Sequence, residues 1–329
     1  MSRSRTTVVD ETQAWDPVVE IGGLPPGTER RSAGGSRRIV AGRYRLQRVL
    51  GRGGMGTVWL AEDESLRRTV AIKEFTLPAE VIDTAAATER VRVEACAAAR
   101  VSHPCVVGVY DLAVEHGPPW IVMEALSGHT LAHEIRQRGR VEPALVWDIA
   151  RQLVAALQAV HSEGLVHRDV KPGNVQLTSE GRVVLIDFGL AVRGGAPSAM
   201  RPGQLVGSLP FMAPESIREG RFTPASDLFA LGATLYAAVE GRHRFHDLSA
   251  FSILEAVKTQ DPLPAQHAGH LRPVIDGLLI KDPAARWNLE TVQQYLSRRP
   301  VQSPSDGTIS HRLRAVPRWA SRRSADLAC

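Results

Sequence analysis

The sequence predicts an α+β fold in two lobes, a small mainly-β lobe with one helix followed by a larger mainly-α lobe. Strand-like runs crowd the first part of the ordered body, and amphipathic helical patterns fill the rest. With 43 % of its 329 residues hydrophobic, the chain can also bury a sizeable core.

Residues 1–40 are rich in Ser, Thr, Gly, Pro and Arg and have no apolar period, so they read as a disordered arm. From Arg43 the pattern changes. Tyr44–Val49 and Thr57–Ala61 read as strands joined by a glycine hairpin, and Thr69–Phe75 as a third strand. Thr84–Arg100 is Ala-rich with no Gly or Pro and reads as a helix. Val106–Tyr110 and Trp120–Glu124 are short strand-like runs. After Gly128 the reading is helical: Leu131–Arg138, then Pro143–Glu163 closed by Gly164, and later Asp227–Glu240, Ala250–Lys258, Arg272–Leu279 and Leu289–Leu296. One short strand, Val183–Ile186, interrupts them. The expected division is an arm over 1–40, a body over 41–297 with lobes of about 41–125 and 126–297, and a disordered basic tail over 298–329. No internal repeat is visible.

Charge and composition remove several function classes. The net charge is +5, but residues 1–42 carry +1 and residues 298–329 carry +5, which leaves the body at −1. A nearly neutral body is not expected to bind nucleic acid. Cys96, Cys105 and Cys329 show no paired spacing, so neither a disulfide framework nor a zinc site is expected. The longest apolar run, Leu228 to Val239, is too short for a bilayer, and the N-terminus lacks a signal-peptide core. The expectation is a soluble, reduced, cytoplasmic protein with no transmembrane segment. Lys is scarce: only Lys73, Lys171, Lys258 and Lys281 occur among 40 basic residues. Two of them fall inside the motifs below.

The first motif is Leu50-Gly51-Arg52-Gly53-Gly54-Met55-Gly56-Thr57-Val58. Phosphates need close backbone approach, which a Cβ obstructs. A dinucleotide-binding glycine loop is followed by a helix, whereas Thr57-Val58-Trp59-Leu60 reads as a strand. An ordinary Gly-rich turn is the plain alternative. Val70-Ala71-Ile72-Lys73 then ends an apolar strand on a cation, which either snorkels to solvent or faces phosphate. In the second case it needs an acid. Glu94, among small residues of the Ala-rich helix, is preferred, and Glu89 is its rival.

The most specific segment is His167-Arg168-Asp169-Val170-Lys171-Pro172-Gly173-Asn174. Asp187-Phe188-Gly189 begins 18 residues after Asp169, and Ala213-Pro214-Glu215 follows. Motif set, order and spacing resemble the Hanks-type (eukaryotic-like) serine/threonine protein kinases, close to bacterial PknB-like enzymes, from about Tyr44 to Leu296. The resemblance implies the two-lobed protein kinase fold and an active non-specific serine/threonine protein kinase. Such an enzyme moves the γ-phosphoryl of ATP to Ser/Thr hydroxyls of proteins, with autophosphorylation. The cofactors it implies are ATP and Mg²⁺, with Mn²⁺ as an alternative.

Roles carry over residue by residue. Asp169 orients the acceptor hydroxyl, Lys171 clamps the transferred group, and Lys73, held in place by Glu94, pairs with the phosphates. Asn174 and Asp187 supply hard oxygens for the metal. Gly51, Gly53 and Gly56 approach the phosphates. Leu50, Val58 and Ala71 sandwich the adenine, and the Glu124-Ala125-Leu126 backbone hydrogen-bonds its edge, with Met123 beside it. Asp227 resembles the buried brace of the catalytic loop, and Arg286 the partner of Glu215.

Two positions depart from the pattern. Gln176 stands where an apolar adenine floor is usual, and a buried Gln needs partners. Between Asp187 and Glu215 there is no Thr, only Ser198 and Ser208. Ser208 is expected to contact the catalytic loop. Ser198 is the candidate phosphosite, paired with Arg168, and an unmodified loop serine is the alternative. Thr6, Thr7 and Thr12 in the arm, once phosphorylated, resemble docking sites for a forkhead-associated domain, against an inert arm. The Arg-rich stretch 312–323 reads as solvated charge, with anionic lipid or nucleic acid as the alternative. A homodimer through the smaller lobe is a further implication of the resemblance. A pseudokinase scaffold is disfavoured because Lys73, Asp169 and Asp187 are all present. A small-molecule kinase is disfavoured because Ala213-Pro214-Glu215 is present.

Overall fold

β-branched and aromatic residues flanking a glycine turn give the first lobe its sheet. The computed structural model describes residues 38–53, 56–75, 84–115, 120–187, 208–245, 248–261 and 263–298. Strands β1 (Ile39–Val40), β2 (Tyr44–Gly53), β3 (Gly56–Asp63), β4 (Arg68–Phe75), β5 (Val109–Ala113) and β6 (Trp120–Glu124) form one antiparallel sheet in the order β1-β2-β3-β4-β6-β5. Helix α1 (Thr84–Ala98) lies between β4 and β5 in sequence. One face of the sheet buries Tyr44, Leu46, Ala61, Val70, Ile72, Trp120 and Val122 as a small core of its own.

Two strand readings need correction. Ile39–Val40 pairs with Arg45 and Tyr44, so the ordered body begins inside the segment expected to be disordered. The run read as Val106–Tyr110 is split. Val106 bridges Leu185 in parallel, and Val107 N–H donates to the Leu185 carbonyl at 3.0 Å. The sheet strand starts only after Gly108. The first half of that run therefore serves the other lobe.

The second lobe contains β7 (His129–Thr130), α2 (Leu131–Arg138), α3 (Pro143–Ser162), β8 (Val175–Leu177), β9 (Val183–Leu185), α4 (Pro214–Glu219), α5 (Pro224–Glu240), α6 (Ala250–Thr259), α7 (Arg272–Leu278) and α8 (Leu289–Ser297). Strands β7, β8 and β9 make a small antiparallel sheet. Pro143 and Pro224 stand in the first turns of α3 and α5, where a missing N–H costs nothing. Helix α5 is buried on every side from Ser226 to Val239, which explains why its apolar run is continuous rather than periodic. It ends at Gly241, with φ 77°, where a Cβ would sit 1.7 Å from the Gly139 carbonyl oxygen. The main core gathers α2, α3, α5 and α7 and continues into Val91, Ala95 and Ala98 of α1. Among the described residues no helix is long and apolar enough to cross a membrane.

Candidate active site

The glycine turn brings backbone close to backbone. Gly53 faces Gly56 across the hairpin, and Gly56 takes φ 141°. A Cβ on Gly56 would lie 1.8 Å from the Glu74 carbonyl oxygen, so glycine is required there by the neighbouring strand as well as by φ. In register, Gly51 faces Val58, Val58 faces Lys73, and Ala71 faces Met123. Leu50 and Ala71 are buried and Val58 is half-buried. β6 ends at Glu124, whose N–H donates to the Gly108 carbonyl at 2.8 Å and whose carboxylate pairs with Arg182. Ala125 and Leu126 follow, both half-buried.

Lys73 is 3 % exposed, and its ammonium pairs with the Asp187 carboxylate. Asp187 has φ 60°, a left-handed conformation that non-glycine residues seldom take outside functional turns. Glu94 belongs to α1, and its side chain lies outside the described residues. Its rival Glu89 is exposed and pairs with Arg92 at 2.6 Å on the same helix, which engages it at the surface.

The segment from His167 to Asn174 is held by α5. Asp227 is 1 % exposed and accepts from the His167 and Arg168 N–H groups, both at 2.8 Å. His161 adds a third contact to Asp227 at 2.9 Å. These bonds hold Arg168 at φ 72°. Burial holds His167 below its ordinary pKa, against the pull of Asp227 and Asp169, so the ring is neutral near pH 7. Its Nε2 faces the Ile186 carbonyl at 3.2 Å and its Nδ1 accepts from Asp169 N–H at 3.4 Å, which assigns the proton to Nε2.

Asp169 is the centre of the polar groups. Lys171 Nζ lies 2.8 Å from its Oδ2, and Asn174 Nδ2 donates to the same oxygen at 2.8 Å. Ser208 Oγ accepts from Lys171 at 2.8 Å and donates to Asp169 Oδ1 at 3.1 Å. Burial opposes ionisation of Asp169, but the Lys171 charge and these hydrogen bonds outweigh it, and the carboxyl sits below its ordinary value. It is therefore an anion at neutral pH. Beside it is a small depression lined by Arg168, Ser208, Phe211, Met212 and Phe222. Asn174 turns its amide nitrogen to Asp169, which directs its oxygen away from that carboxylate. That oxygen and the Asp187 carboxylate are the hard donors a small divalent cation prefers.

Glu215 and Arg286, predicted as partners, form a bidentate pair at 2.8 and 3.1 Å. Gln176 is 1 % exposed; its Nε2 donates to the Ser127 carbonyl at 2.7 Å, and its Oε1 is buried without a partner. His161 and Arg182 were not anticipated. A lone His late in a helix and an Arg after a turn carry no spacing signal, and only the fold brings them to Asp227 and Glu124. Gly54, Phe188, Gly189, Ser198, the arm threonines and the 312–323 stretch lie outside the described residues.

The chain matches the family model for the protein kinase domain over residues 44–296. It is 37 % identical over 259 residues to the serine/threonine-protein kinase PknA of Mycobacterium tuberculosis, an alignment covering 75 % of this chain and 59 % of that protein. It is 34 % identical over 246 residues to the serine/threonine-protein kinase PrkC of Bacillus subtilis, covering 74 % of this chain and 38 % of that one. PknD of M. tuberculosis is likewise 34 % identical, over 75 % of this chain and 38 % of its own length. The chain thus spans less than two thirds of the curated relatives it matches.

Proposed function

Because this chain belongs to the protein kinase domain family, we propose that it transfers the γ-phosphoryl of ATP to serine and threonine hydroxyls of proteins, its own included. The observation that carries this reading is Asp169, ionised and bound by Lys171, Asn174 and Ser208 at the edge of a small depression. The ionised carboxylate orients an acceptor hydroxyl and receives its hydrogen bond. Lys171, 2.8 Å from the same carboxylate, places a positive charge where the transferred group passes. Ser208 ties both to the segment leading into α4, so the acceptor strand and the catalytic groups are positioned together.

On the nucleotide side, Leu50, Val58 and Ala71 are the apolar walls, and the Glu124–Leu126 backbone is the adenine edge. The Gly51, Gly53 and Gly56 backbone approaches the phosphates, and Lys73 neutralises them with Glu94 as its support. Asn174 and Asp187 are the residues to hold a divalent ion, Mg²⁺ with Mn²⁺ as the alternative. Bound there, it neutralises charge on the phosphate oxygens. Cytoplasmic location, docking of a forkhead-associated domain on a phosphorylated arm threonine, a phosphorylated Ser198 and pairing of two copies through the smaller lobe belong to the same proposal.

The test is transfer of label from γ-labelled ATP to a generic protein and to the chain itself, comparing wild type with Asp187→Asn. Loss of labelling in the variant is expected, and equal labelling by both overturns the mechanism.

A further inference from the structure

Residues 125–128 join β6 to β7 and belong to no strand. They link the two lobes without a sheet ladder to fix their backbone. Such a link samples many conformers unless side chains tie it down. The turn between β8 and β9, residues 178–182, ties it at both ends. At the near end, Arg182 Nη2 donates to the Glu124 carboxylate, and Nη1 donates to the Pro104 carbonyl at 3.3 Å. Pro104 begins the stretch that runs beside Leu185, so one guanidinium joins the last residue of β6, the turn and the approach to β5. At the far end, Ser127 Oγ donates to Glu180 at 2.9 Å and accepts from Ser179 N–H at 3.2 Å and from Ser179 Oγ at 2.7 Å. Its own bond, the largest influence on Glu180, helps lower that carboxyl to about 2, so the acceptor is charged at neutral pH. A Cβ on Gly128 would lie 2.0 Å from the Leu177 carbonyl oxygen, so the link also runs directly against β8.

The turn is itself well fixed. Thr178 N–H donates to the Arg182 carbonyl at 2.9 Å, Gly181 N–H to the Thr178 carbonyl at 3.0 Å, and Arg182 N–H to Thr178 Oγ1 at 3.1 Å. The next residue, Val183, donates its N–H to Gln152 Oε1 on α3 at 2.9 Å. Arg182 therefore grips Glu124 from a base anchored in the larger lobe. Its side chain is 37 % exposed and that of Glu124 26 %, so the pair is a surface contact rather than a core one.

We propose that Arg182 is a positioning residue for the nucleotide, holding Glu124 so that the 124–126 backbone meets the adenine edge already in its bound conformation. It acts through Glu124 rather than by contact with the nucleotide. A preformed edge avoids the ordering cost that a loose one meets on binding, so the effect falls on affinity and not on phosphoryl transfer. This rests on the kinase reading and deepens its nucleotide side.

The test uses the full chain and adenosine, which carries the adenine edge without phosphates or metal. Measured by titration calorimetry, Arg182→Met should raise the adenosine Kd about fivefold, the scale of one partly exposed charge-assisted pair. The KM for ATP should rise by the same factor, with kcat unchanged within about twofold. Arg182→Lys keeps the charge opposite Glu124 but not the fork to Pro104, and should fall between the two. Backbone hydrogen exchange should quicken over 124–128 in Arg182→Met and stay as in wild type over α3 and α5, with the unfolding temperature within about 2 °C. Equal adenosine affinity in wild type and Arg182→Met overturns the proposal. Faster turnover at unchanged affinity does the same and makes the pair a restraint on lobe motion. Weaker binding with faster exchange throughout the chain assigns Arg182 to folding stability and also overturns it. A wild type that binds adenosine but transfers no label fails the kinase reading and leaves the affinity comparison to decide the proposal. A wild type that binds no adenosine overturns the proposal whether or not label is transferred.

Discussion

Replacing Arg286 with methionine removes one half of the most buried ion pair among the described residues of the larger lobe. The Arg286 side chain is 1 % exposed and that of Glu215 6 %. The substitution deletes both bonds to Glu215 and three more, to the carbonyls of Ala225, Ile280 and Lys281. Glu215 keeps the Ser226 hydroxyl at 3.1 Å as its side-chain partner. Breaking a buried pair from one side costs roughly 3–5 kcal/mol, because a charge stays behind without compensation. At roughly 2–4 °C per kcal/mol for a domain of this size, the unfolding temperature should fall by about 10 °C. Glu215→Leu with Arg286→Met should recover more than half of that loss, since no charge then remains buried.

The pH dependence gives an independent check. In the wild type, burial raises the Glu215 pKa, but the Arg286 hydrogen bonds and charge outweigh it and leave it below 4.5. A depressed folded pKa contributes stability that is present above the unfolded value and lost as pH falls through the folded one. In Arg286→Met, burial, the largest influence on Glu215, is opposed only by the Ser226 hydroxyl and a backbone hydrogen bond, so the pKa should rise and the variant's penalty should shrink as pH drops from about 8 to about 5. Thermal unfolding followed by circular dichroism at both pH values measures this. A drop under about 2 °C, or a gap between the two proteins that ignores pH, would refute the assignment of Glu215–Arg286 as a buried charged pair.

Ser208→Ala should lower kcat about tenfold by releasing Lys171 from its bridge to Asp169, and Ser208→Thr should restore it; steady-state kinetics with equal kcat for all three excludes the bridge. Gln176→Leu removes the orphaned Oε1 but also the donor to Ser127, so stability should change by no more than about 1 kcal/mol while the KM for ATP changes; an unchanged KM rules out contact between Gln176 and the purine. Asp63, fully buried, is lowered from 3.8 to about 2 by the Arg43 hydrogen bond acting against burial. Its contribution is present above its unfolded pKa and lost as pH falls toward 2, so Asp63→Asn should be less stable at neutral pH yet lose less on acidification; parallel acid-unfolding curves would count against it.

The helical half was the more legible part of the chain. α2 was read at its observed bounds, and α3, α6, α7 and α8 within a residue, because capping residues and amphipathic period mark their ends. Short strands that owe their existence to a partner left no pattern. Ile39–Val40, His129–Thr130 and Val175–Leu177 are each two or three residues long and become strands only through pairing. The same holds for Cys105–Val107, which looks like one strand with Val109 but follows Leu185. α4 was hidden because Ala213-Pro214-Glu215 draws attention as a motif while its six-residue helix is too short for a period. Among the site residues, those in fixed-spacing motifs were legible, and Asp227 and Arg286 were placed with their partners.

The Lys73–Asp187 pair also has a thermodynamic consequence. Under the proposed function, phosphate oxygens would compete with Asp187 for Lys73, and a divalent cation would compete with Lys73 for Asp187. Whichever ligand arrived first would dissolve the pair, and the second would find its group already released. Nucleotide and metal would then be heterotropic partners, each raising the other's affinity by the same factor, as reciprocity of linked equilibria requires. The pair would thereby make the metal–nucleotide complex a better ligand than either component, even before the two touch one another.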